Sequence, residues 1–304
     1  MKIFVTGASG FIGSQVTRTL LSRGHSVAIL TPGGKAPWRL KGFFGEIEKK
    51  QGRLDNLKSL RRALAGFKPD ACVHLAWVAE PGKYLASPEN LSCLKTSLDL
   101  FKELVLSGCR QIVAAGTCAE YAYSRALLKE NSPTGPTTLY AAAKLSCGLL
   151  GRQLADLAKI HFAWGRIFYP YGPQEDERRL VPAVIKSLRK GEVFPATQGN
   201  QVRDYIHVED VATAFCLMAE KGANEVINIA SGSPVKVRKL LENVGRITGR
   251  TQLIRFGAKP YYSWEPPVLA GDNRRLKDLG WKPAYTLEKG LQQTIEWFKG
   301  QQAT

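Results

Sequence analysis

The chain has 304 residues, 44% of them hydrophobic and 23% charged, which is enough for one large α/β domain or a nucleotide-binding domain with a smaller lobe. It contains no run of about 18 uncharged apolar residues, so a membrane span is not expected, and the strand predicted at its start leaves no room for a signal peptide. The net charge of +17 comes without a basic tail, so a surface that attracts small anions is favoured over nucleic-acid binding.

The first predicted element is a strand over 2–6 that runs into a glycine-rich turn and then into a helix over 12–22. Glycine is needed where a backbone turns tightly, approaches a phosphate or packs a helix against a strand. Free N–H groups at the start of such a helix bind a dinucleotide pyrophosphate. The Gly-Lys-Ser/Thr ending of a P-loop is absent. The predicted cofactor-binding residues of this turn are Gly7, Gly10, Phe11, Ile12 and Gly13.

Short apolar strands then alternate with helical stretches, which is typical of a doubly wound parallel sheet with helices on both faces, the Rossmann α/β class. Further strands are predicted over 26–31, 71–75, 111–116, 161–168 and 225–229, and further helices over 56–65, 88–107 and 138–158. We expect residues 1–168 plus 207–230 to form the dinucleotide-binding domain. We expect residues 169–206 plus 231–304, richer in Pro, Gly and Tyr, to form a smaller substrate-binding lobe.

Tyr140 and Lys144 are four residues apart in a predicted helix, which places both side chains on one face. A nearby ammonium group favours the phenolate and lowers the tyrosine pKa, so that the tyrosine can act as a general acid or base. The preceding strand ends at Thr117, whose hydroxyl should lie at its carboxyl end. The pattern predicts a proton-transfer site.

Further motifs occur in an order that resembles the extended short-chain dehydrogenases/reductases, the nucleotide-sugar epimerase, dehydratase and ketoreductase group. The resemblance covers nearly the whole chain. Its motifs are TGASGFIG at 6–13, His74-Leu75-Ala76, Thr117 four residues before Tyr121, Tyr140 with Lys144, Tyr171-Gly172-Pro173, RDYIHV at 203–208 and LGWKP at 279–283.

The resemblance implies a hydride-transfer site. Tyr140 would exchange a proton with the substrate oxygen, and Thr117 would hydrogen-bond the same oxygen. Lys144 would bind the nicotinamide ribose and depress the Tyr140 pKa. Ala76 and Trp77 would form part of the cofactor wall. The resemblance further implies a homodimer formed through the helices around 88–107 and 138–158, as in other members of the family.

The segment after the second strand favours NADP(H), with NAD(H) as the alternative. NAD-using members end this strand with an acid that binds the ribose hydroxyls, whereas no acid occurs here before Glu46. Thr31, Lys35 and Arg39 suit a 2′-phosphate instead. The adenine-contacting Asp-Leu pair of relatives is replaced by two further predicted cofactor contacts, Arg53 and Leu54.

Departures from the family pattern reduce the number of reactions that the resemblance allows. Dehydratases carry Asp-Glu directly after the catalytic Thr, where this chain has Cys118 and Ala119, so a 4,6-dehydratase is not expected. Arg203 would clamp a sugar-nucleotide phosphate, because its planar fork suits that task. Tyr169 replaces an Asn that holds the substrate diphosphate in relatives. The predicted substrate contacts are Tyr84, Cys118, Glu120, Tyr169 and Arg203.

Three functions remain open at this point. The first is NADPH-dependent reduction of a nucleotide-activated 4-keto-6-deoxyhexose, as in deoxysugar biosynthesis. The second is a nucleotide-sugar 4-epimerase with tightly bound NAD. The third is a non-catalytic dinucleotide sensor or RNA-binding member of the same fold, which fold alone does not exclude. Six scattered cysteines without C-x-x-C pairs indicate neither zinc nor disulfides and fit the cytoplasm.

Overall fold

The computed structural model describes residues 1–261 and 265–300. Its strands, numbered in chain order, are β1 Lys2–Thr6, β2 Ser26–Thr31, β3 Glu48–Gln51, β4 Ala71–His74, β5 Gln111–Thr117, β6 His161–Ile167, β7 Tyr169–Tyr171, β8 Phe194–Ala196, β9 Val202–Arg203, β10 Tyr205–His207, β11 Val226–Ile229, β12 Val235–Lys236, β13 Ile254–Phe256 and β14 Val268–Leu269. Its α-helices are α1 Phe11–Ser22, α2 Leu57–Phe67, α3 Glu89–Leu106, α4 Leu139–Ala158, α5 Leu180–Lys190, α6 Val208–Glu220, α7 Val237–Thr248, α8 Arg274–Asp278 and α9 Leu287–Gly300.

A seven-stranded sheet in the order β11-β6-β5-β4-β1-β2-β3 forms the centre of the molecule, and all its neighbouring strands are parallel. The chain starts in the middle at β1, moves outward to β3, and then returns to β4 on the other side. This reversal leaves a crevice at the carboxyl ends of β1 and β4, which is where open α/β sheets bind ligands. The predicted Rossmann fold is confirmed.

The predicted elements of this sheet agree with the structure to within two residues at each end, except that β3 was missed. β3 has the sequence Glu-Lys-Lys-Gln and lies at the sheet edge with mostly exposed residues. A strand with one neighbour and few buried side chains needs no apolar alternation, so it carries no hydrophobic signal.

Apolar side chains fill both faces of the sheet. Helices α1 and α6 cover one face with residues such as Val16, Leu20 and Phe215. Helices α2, α3 and α4 cover the other face with residues such as Leu64 and Phe101. The two helix layers fix the strand ends, and with them the loops that carry the candidate site.

The smaller strands and helices α5, α7 and α9 surround a separate core that includes Ile185, Leu240 and Leu291. Leu276 and Trp281 belong instead to the core beside α6, and the Trp281 indole N–H donates to the Asp210 carbonyl at 3.2 Å. The predicted division into a dinucleotide-binding domain and a lobe of 169–206 plus 231–304 stays a prediction, and within it Leu276 and Trp281 pack against the larger part. Residues 262–264 and 301–304 of that segment lie outside the described residues.

Candidate active site

The three glycines of the first turn are each required by close backbone approach. Gly7 has φ +72°, and a Cβ there would lie 2.7 Å from the Ala76 nitrogen at the end of β4. A Cβ at Gly13 would lie 2.0 Å from the Gly7 carbonyl oxygen, which the Gly10 N–H also contacts at 2.9 Å. Larger residues would push α1 away from β1 and β4.

Helix α1 starts directly after this turn with its N-terminus free of capping side chains. Gly10 is the cap residue and offers no side-chain hydrogen bond, and the first turn holds no acidic residue. Uncapped N–H groups at the positive end of a 12-residue helix suit an anionic ligand. Phe11 and Ile12 are half-buried in its first turn. The turn therefore fits the pyrophosphate of a dinucleotide.

The loop after β2 brings one of its two predicted basic residues to this turn. The Arg39 guanidinium donates to the Gln174 carbonyl at 2.9 Å and to the Ser9 carbonyl at 3.4 Å. Lys35 is exposed. Thr31 ends β2, and its hydroxyl accepts from the Gly33 N–H at 3.2 Å. Arg39 thus lies beside the glycine turn.

The Arg53-Leu54 pair is divided between solvent and core. The Arg53 side chain is exposed and forms a two-pronged ion pair with Asp55, at 2.9 and 3.0 Å. Leu54 packs against the core under α2. The Arg53 guanidinium, which is predicted to contact adenine, is thus already hydrogen-bonded to the neighbouring Asp55 carboxylate.

Ala76 and Trp77 follow β4 and lie on both sides of the crevice. The Ala76 N–H contacts the Thr6 hydroxyl at 3.4 Å, next to the glycine turn. The Trp77 indole N–H donates to Asn90 Oδ1 at 2.8 Å, and its ring faces Lys144 Nζ at 3.9 Å from the ring centroid. The predicted cofactor wall therefore touches the predicted catalytic helix.

Tyr140 and Lys144 lie in the first turns of α4 because Thr138 starts that helix. The Thr138 hydroxyl accepts from the Ala141 N–H at 3.2 Å, which is the usual cap at a helix N-terminus. Lys144 Nζ donates to the Ala115 carbonyl of β5 at 2.8 Å. The tyrosine thereby lies at the carboxyl end of β5, beside Thr117.

The ionisation of this pair differs from the prediction that Lys144 lowers the Tyr140 pKa. Burial raises the Tyr140 pKa, with a smaller contribution from Tyr84, while a hydrogen bond with Thr117 opposes the rise. Burial also lowers the Lys144 pKa to about 8. The physical reason is that burial disfavours the charged phenolate, while the Lys144 ammonium group faces the Ala115 carbonyl and the Trp77 ring.

Glu120 was predicted to contact substrate, and the structure places it elsewhere. Its side chain is 0% exposed, and its oxygens accept from the Thr117 N–H at 2.7 Å, from Arg166 Nε at 2.7 Å and from the Trp164 indole at 3.0 Å. Cys118 begins the same short 3-10 turn and is buried, which raises its thiol pKa to about 12. Glu120 supports the Thr117 backbone from behind the site.

Arg203, the predicted phosphate clamp, is 1% exposed and already paired. Its Nη2 lies 2.6 Å from Glu265 Oε1, and its Nη1 donates to the Val202 carbonyl at 2.8 Å. The guanidinium carbon of Arg203 lies 5.4 Å from the centroid of the Tyr169 ring. The Tyr84 ring packs against the Tyr140 ring, with the two ring centroids 4.8 Å apart. Tyr84 therefore contacts Tyr140, and Tyr169 lies beside Arg203.

Several supporting residues are absent from the predicted site, although His74 belongs to one of the motifs that carry the family resemblance. His74 shares hydrogen bonds with the Thr6 hydroxyl at 2.7 Å and the Ser97 hydroxyl at 2.9 Å, and burial lowers its pKa to about 3, so the ring is neutral. Asn90 and Glu265 likewise act through partners that are distant in sequence. Within residues 1–261 and 265–300, no cluster of three His, Cys, Asp or Glu side chains could hold a metal ion. No helix of that part of the chain is long and apolar enough to cross a bilayer.

Comparison with known proteins agrees with this geometry. A family model described as "NAD dependent epimerase/dehydratase family" matches residues 3–230. The chain is 27% identical to UDP-glucose 4-epimerase of Corynebacterium glutamicum over 94% of this chain and 92% of that protein. It is 26% identical to dTDP-6-deoxy-L-talose 4-dehydrogenase (NAD(+)) of Aggregatibacter actinomycetemcomitans over 80% of this chain and 88% of that protein. The structure of UDP-glucose 4-epimerase with UDP-glucose from Thermotoga maritima superposes with a TM-score of 0.88 at 27% identity, covering 99% and 100% of the two chains.

Proposed function

The chain belongs to the NAD dependent epimerase/dehydratase family, and we propose that it is a nucleotide-sugar 4-epimerase that uses NAD. The observation that carries this proposal is the meeting of Thr117, Tyr140 and Lys144 at the carboxyl end of β5, beside the crevice and the glycine turn. The relatives named above as UDP-glucose 4-epimerases match over nearly all of this chain, which favours epimerisation over net reduction.

The residues that would hold the dinucleotide lie on both sides of the crevice. The backbone of Gly7, Gly10 and Gly13 and the N-terminus of α1 would bind its pyrophosphate. Lys144 would hydrogen-bond the nicotinamide ribose, and Trp77 would face the same end. When bound, the nicotinamide supplies hydride exchange with the substrate carbon.

The protein's own residues would handle the proton. Once ionised, with its own proton lost to solvent, Tyr140 would take the proton of a sugar C4 hydroxyl on its phenolate oxygen and return it after the sugar has turned, so the cycle itself gains and loses no proton. Thr117 would hold the same substrate oxygen by a hydrogen bond. Because burial keeps the Tyr140 phenol protonated, Lys144 and the ligand must lower its pKa before it can act as a base.

A second candidate is the NADPH-dependent 4-ketoreductase of a nucleotide-activated deoxysugar. The absence of an acid at the end of β2 and the placement of Arg39 beside the glycine turn favour a 2′-phosphate over free ribose hydroxyls. The relative that acts as a dTDP-6-deoxy-L-talose 4-dehydrogenase belongs to the same reaction class, although its name specifies NAD. This reading needs a neutral Tyr140 as the acid, which its burial provides.

One experiment separates the two candidates. The purified protein is analysed for retained nucleotide, and UDP-glucose and UDP-galactose are then incubated with it and separated by chromatography. The epimerase predicts retained NAD and interconversion without net change in nicotinamide absorbance. Empty protein that consumes NADPH stoichiometrically with a 4-keto-6-deoxy sugar nucleotide would overturn it in favour of the reductase.

We also propose a homodimer through α3 and α4. Their outer surfaces carry exposed leucines, namely Leu91, Leu106, Leu149, Leu150 and Leu157. Exposed leucines on two helices that pack together are suited to burial against a second copy. Light scattering should give twice the chain mass, and Leu149→Arg with Leu157→Arg should give a monomer. An unchanged mass in that double variant would contradict this interface.

A further inference from the structure

Trp77 and Lys144 form a contact that the proposed reaction does not explain. Lys144 is 4% exposed, yet among residues 1–261 and 265–300 its ammonium has one hydrogen-bond acceptor, the Ala115 carbonyl at 2.8 Å. The rest of its charge faces the Trp77 ring, whose centroid is 3.9 Å away. An aromatic face stabilises a cation most strongly where water is excluded, and the indole of tryptophan does so best.

The Trp77 ring is held at its angle by a residue that is itself fully engaged. Asn90 is buried, and its Oδ1 accepts the indole N–H at 2.8 Å. Its amide nitrogen donates to the carbonyls of Tyr84 and Ser87 at 2.7 and 2.8 Å. Each hydrogen-bonding group of this amide thus has a partner, so rotation of the indole would break a buried hydrogen bond.

The same hydrogen bonds place a second ring at the catalytic phenol. The Tyr84 ring meets the Tyr140 ring edge to face at 4.8 Å, and Trp77 meets it at 6.4 Å and 80°. The segment from Trp77 to Asn90 therefore surrounds both members of the Tyr140 and Lys144 pair.

We propose that Trp77 is a positioning residue for Lys144, whose ammonium group it holds charged and directed at the cofactor crevice. The inference rests on the proposed function in one respect, namely that Lys144 binds the nicotinamide ribose. Removal of the ring should make Lys144 lose its proton at lower pH. Burial already lowers its pKa to about 8, so the change would fall within the working range.

The test is the affinity for NADH and NADPH of protein freed of retained nucleotide, measured by fluorescence from pH 6 to 9.5 without any substrate. In the parent protein the affinity should fall as the pH rises through about 8. In Trp77→Leu and Trp77→Met this fall should move down by about one pH unit, as expected for the loss of a buried cation–π contact. Trp77→Phe keeps a ring and should stay close to the parent. Thermal unfolding of each variant identifies any that fail to fold.

The alternative is that Trp77 only fills space. In that case the variants would weaken binding by the same factor at every pH, and an unshifted profile in Trp77→Leu and Trp77→Met overturns the inference. In a Lys144→Met background, Trp77→Leu should produce no further change in pH dependence. A protein that shows the shift but converts no nucleotide sugar contradicts the proposed reaction while supporting the role of Trp77.

Discussion

The backbone N–H of Thr117 donates to the Glu120 carboxylate at 2.7 Å, and the same carboxylate pairs with Arg166 at 2.7 Å. A fully buried ion pair therefore fixes the backbone of the residue that contacts Tyr140. The Thr117 hydroxyl completes the turn by accepting from the Ala119 N–H at 3.3 Å. The backbone of Thr117 is thus held by hydrogen bonds within its own turn and by a buried carboxylate.

Substitution of Glu120 should therefore affect both stability and activity. Glu120→Ala leaves Arg166 buried and unpaired, which should cost about 3 to 5 kcal/mol in the free energy of unfolding. Glu120→Gln keeps an oxygen for the Thr117 N–H and should cost less. Urea denaturation measures both. The exposed pair of Glu288 with Arg246 is the control, since Glu288→Ala should cost below about 1 kcal/mol. Equal effects in the two pairs would contradict the supporting role of Glu120.

Replacement of Tyr140 by Phe should separate catalysis from binding. Loss of the phenolic oxygen should lower turnover by about 100- to 10,000-fold, while affinity for the dinucleotide changes little. Steady-state kinetics and fluorescence titration measure the two effects. Tyr123→Phe, at an exposed tyrosine, is the control. A Tyr140→Phe protein with undiminished turnover would refute Tyr140 as the proton carrier. A parent protein that binds dinucleotide but turns over neither sugar nucleotide would favour the non-catalytic sensor.

Gly13→Ala should reduce dinucleotide binding strongly. The added methyl group would lie 2.0 Å from the Gly7 carbonyl oxygen, so the turn must open by more than an ångström. We expect at least a tenfold loss of affinity and a stability cost of about 1 to 3 kcal/mol. Gly42→Ala is the control, since nothing lies within 4 Å of a Cβ there. Calorimetric titration with NAD gives the comparison, and intact binding by Gly13→Ala would speak against the turn as the pyrophosphate site.

Glu175 should make stability depend on pH. Burial raises the pKa of its carboxyl to about 8, with an opposing contribution from Arg179, and its Oε2 has no hydrogen-bond partner among the described residues. The folded state then holds a proton that the unfolded state loses above about 4.5, so this contribution to stability declines as the pH rises from 4.5 to 8. Glu175→Gln should remove the decline and add about 1 to 3 kcal/mol at pH 8.5. The free energy of unfolding is measured by urea denaturation at pH 5 and 8.5. An equal change of this free energy with pH in the parent protein and in Glu175→Gln would disprove the prediction.

Glu265 should weaken the affinity of Arg203 for phosphate. The two side chains pair at 2.6 Å with Arg203 buried, so an incoming diphosphate must compete with a carboxylate. Glu265→Gln should raise the affinity for UDP about tenfold, which corresponds to about 1.4 kcal/mol, and Arg203→Met should lower it. Calorimetry with UDP measures both changes. If Arg203→Met binds UDP as the parent does, the phosphate lies elsewhere.

Local patterns in the sequence were sufficient to predict the Rossmann fold and to identify the motif that we propose to be catalytic. Gly7, Gly13, Tyr140 and Lys144 are recognisable because their spacing is dictated by one turn or one helix face. The environment of each group was not predictable in this way. Trp164 and Arg166 lie more than 40 residues from Glu120, and tertiary packing decides that its carboxylate turns away from the crevice.

The same dependence on tertiary packing explains why the sequence does not predict the direction of the Tyr140 pKa shift. The motif predicts a nearby ammonium group, but the direction of the shift depends on burial and on where that ammonium points, which the Ala115 carbonyl and the Trp77 ring determine. Arg203 follows the same logic, because its predicted phosphate contact competes with Glu265, a residue 62 positions away. Residue types could be predicted from the sequence, and their partners could not.

The charged edge strand β3 also bears on the behaviour of the protein in concentrated solution. Edge strands present unpaired backbone groups to which a strand from another molecule can add, the first step toward aggregation. Glu48, Lys49 and Lys50 occupy this edge, and a lateral neighbour would have to desolvate their charges. At the opposite edge, Arg275 donates to the Val226 carbonyl of β11 at 3.2 Å. The charged residues that give β3 no apolar pattern in the sequence are therefore the ones we expect to oppose its pairing with a strand of another molecule.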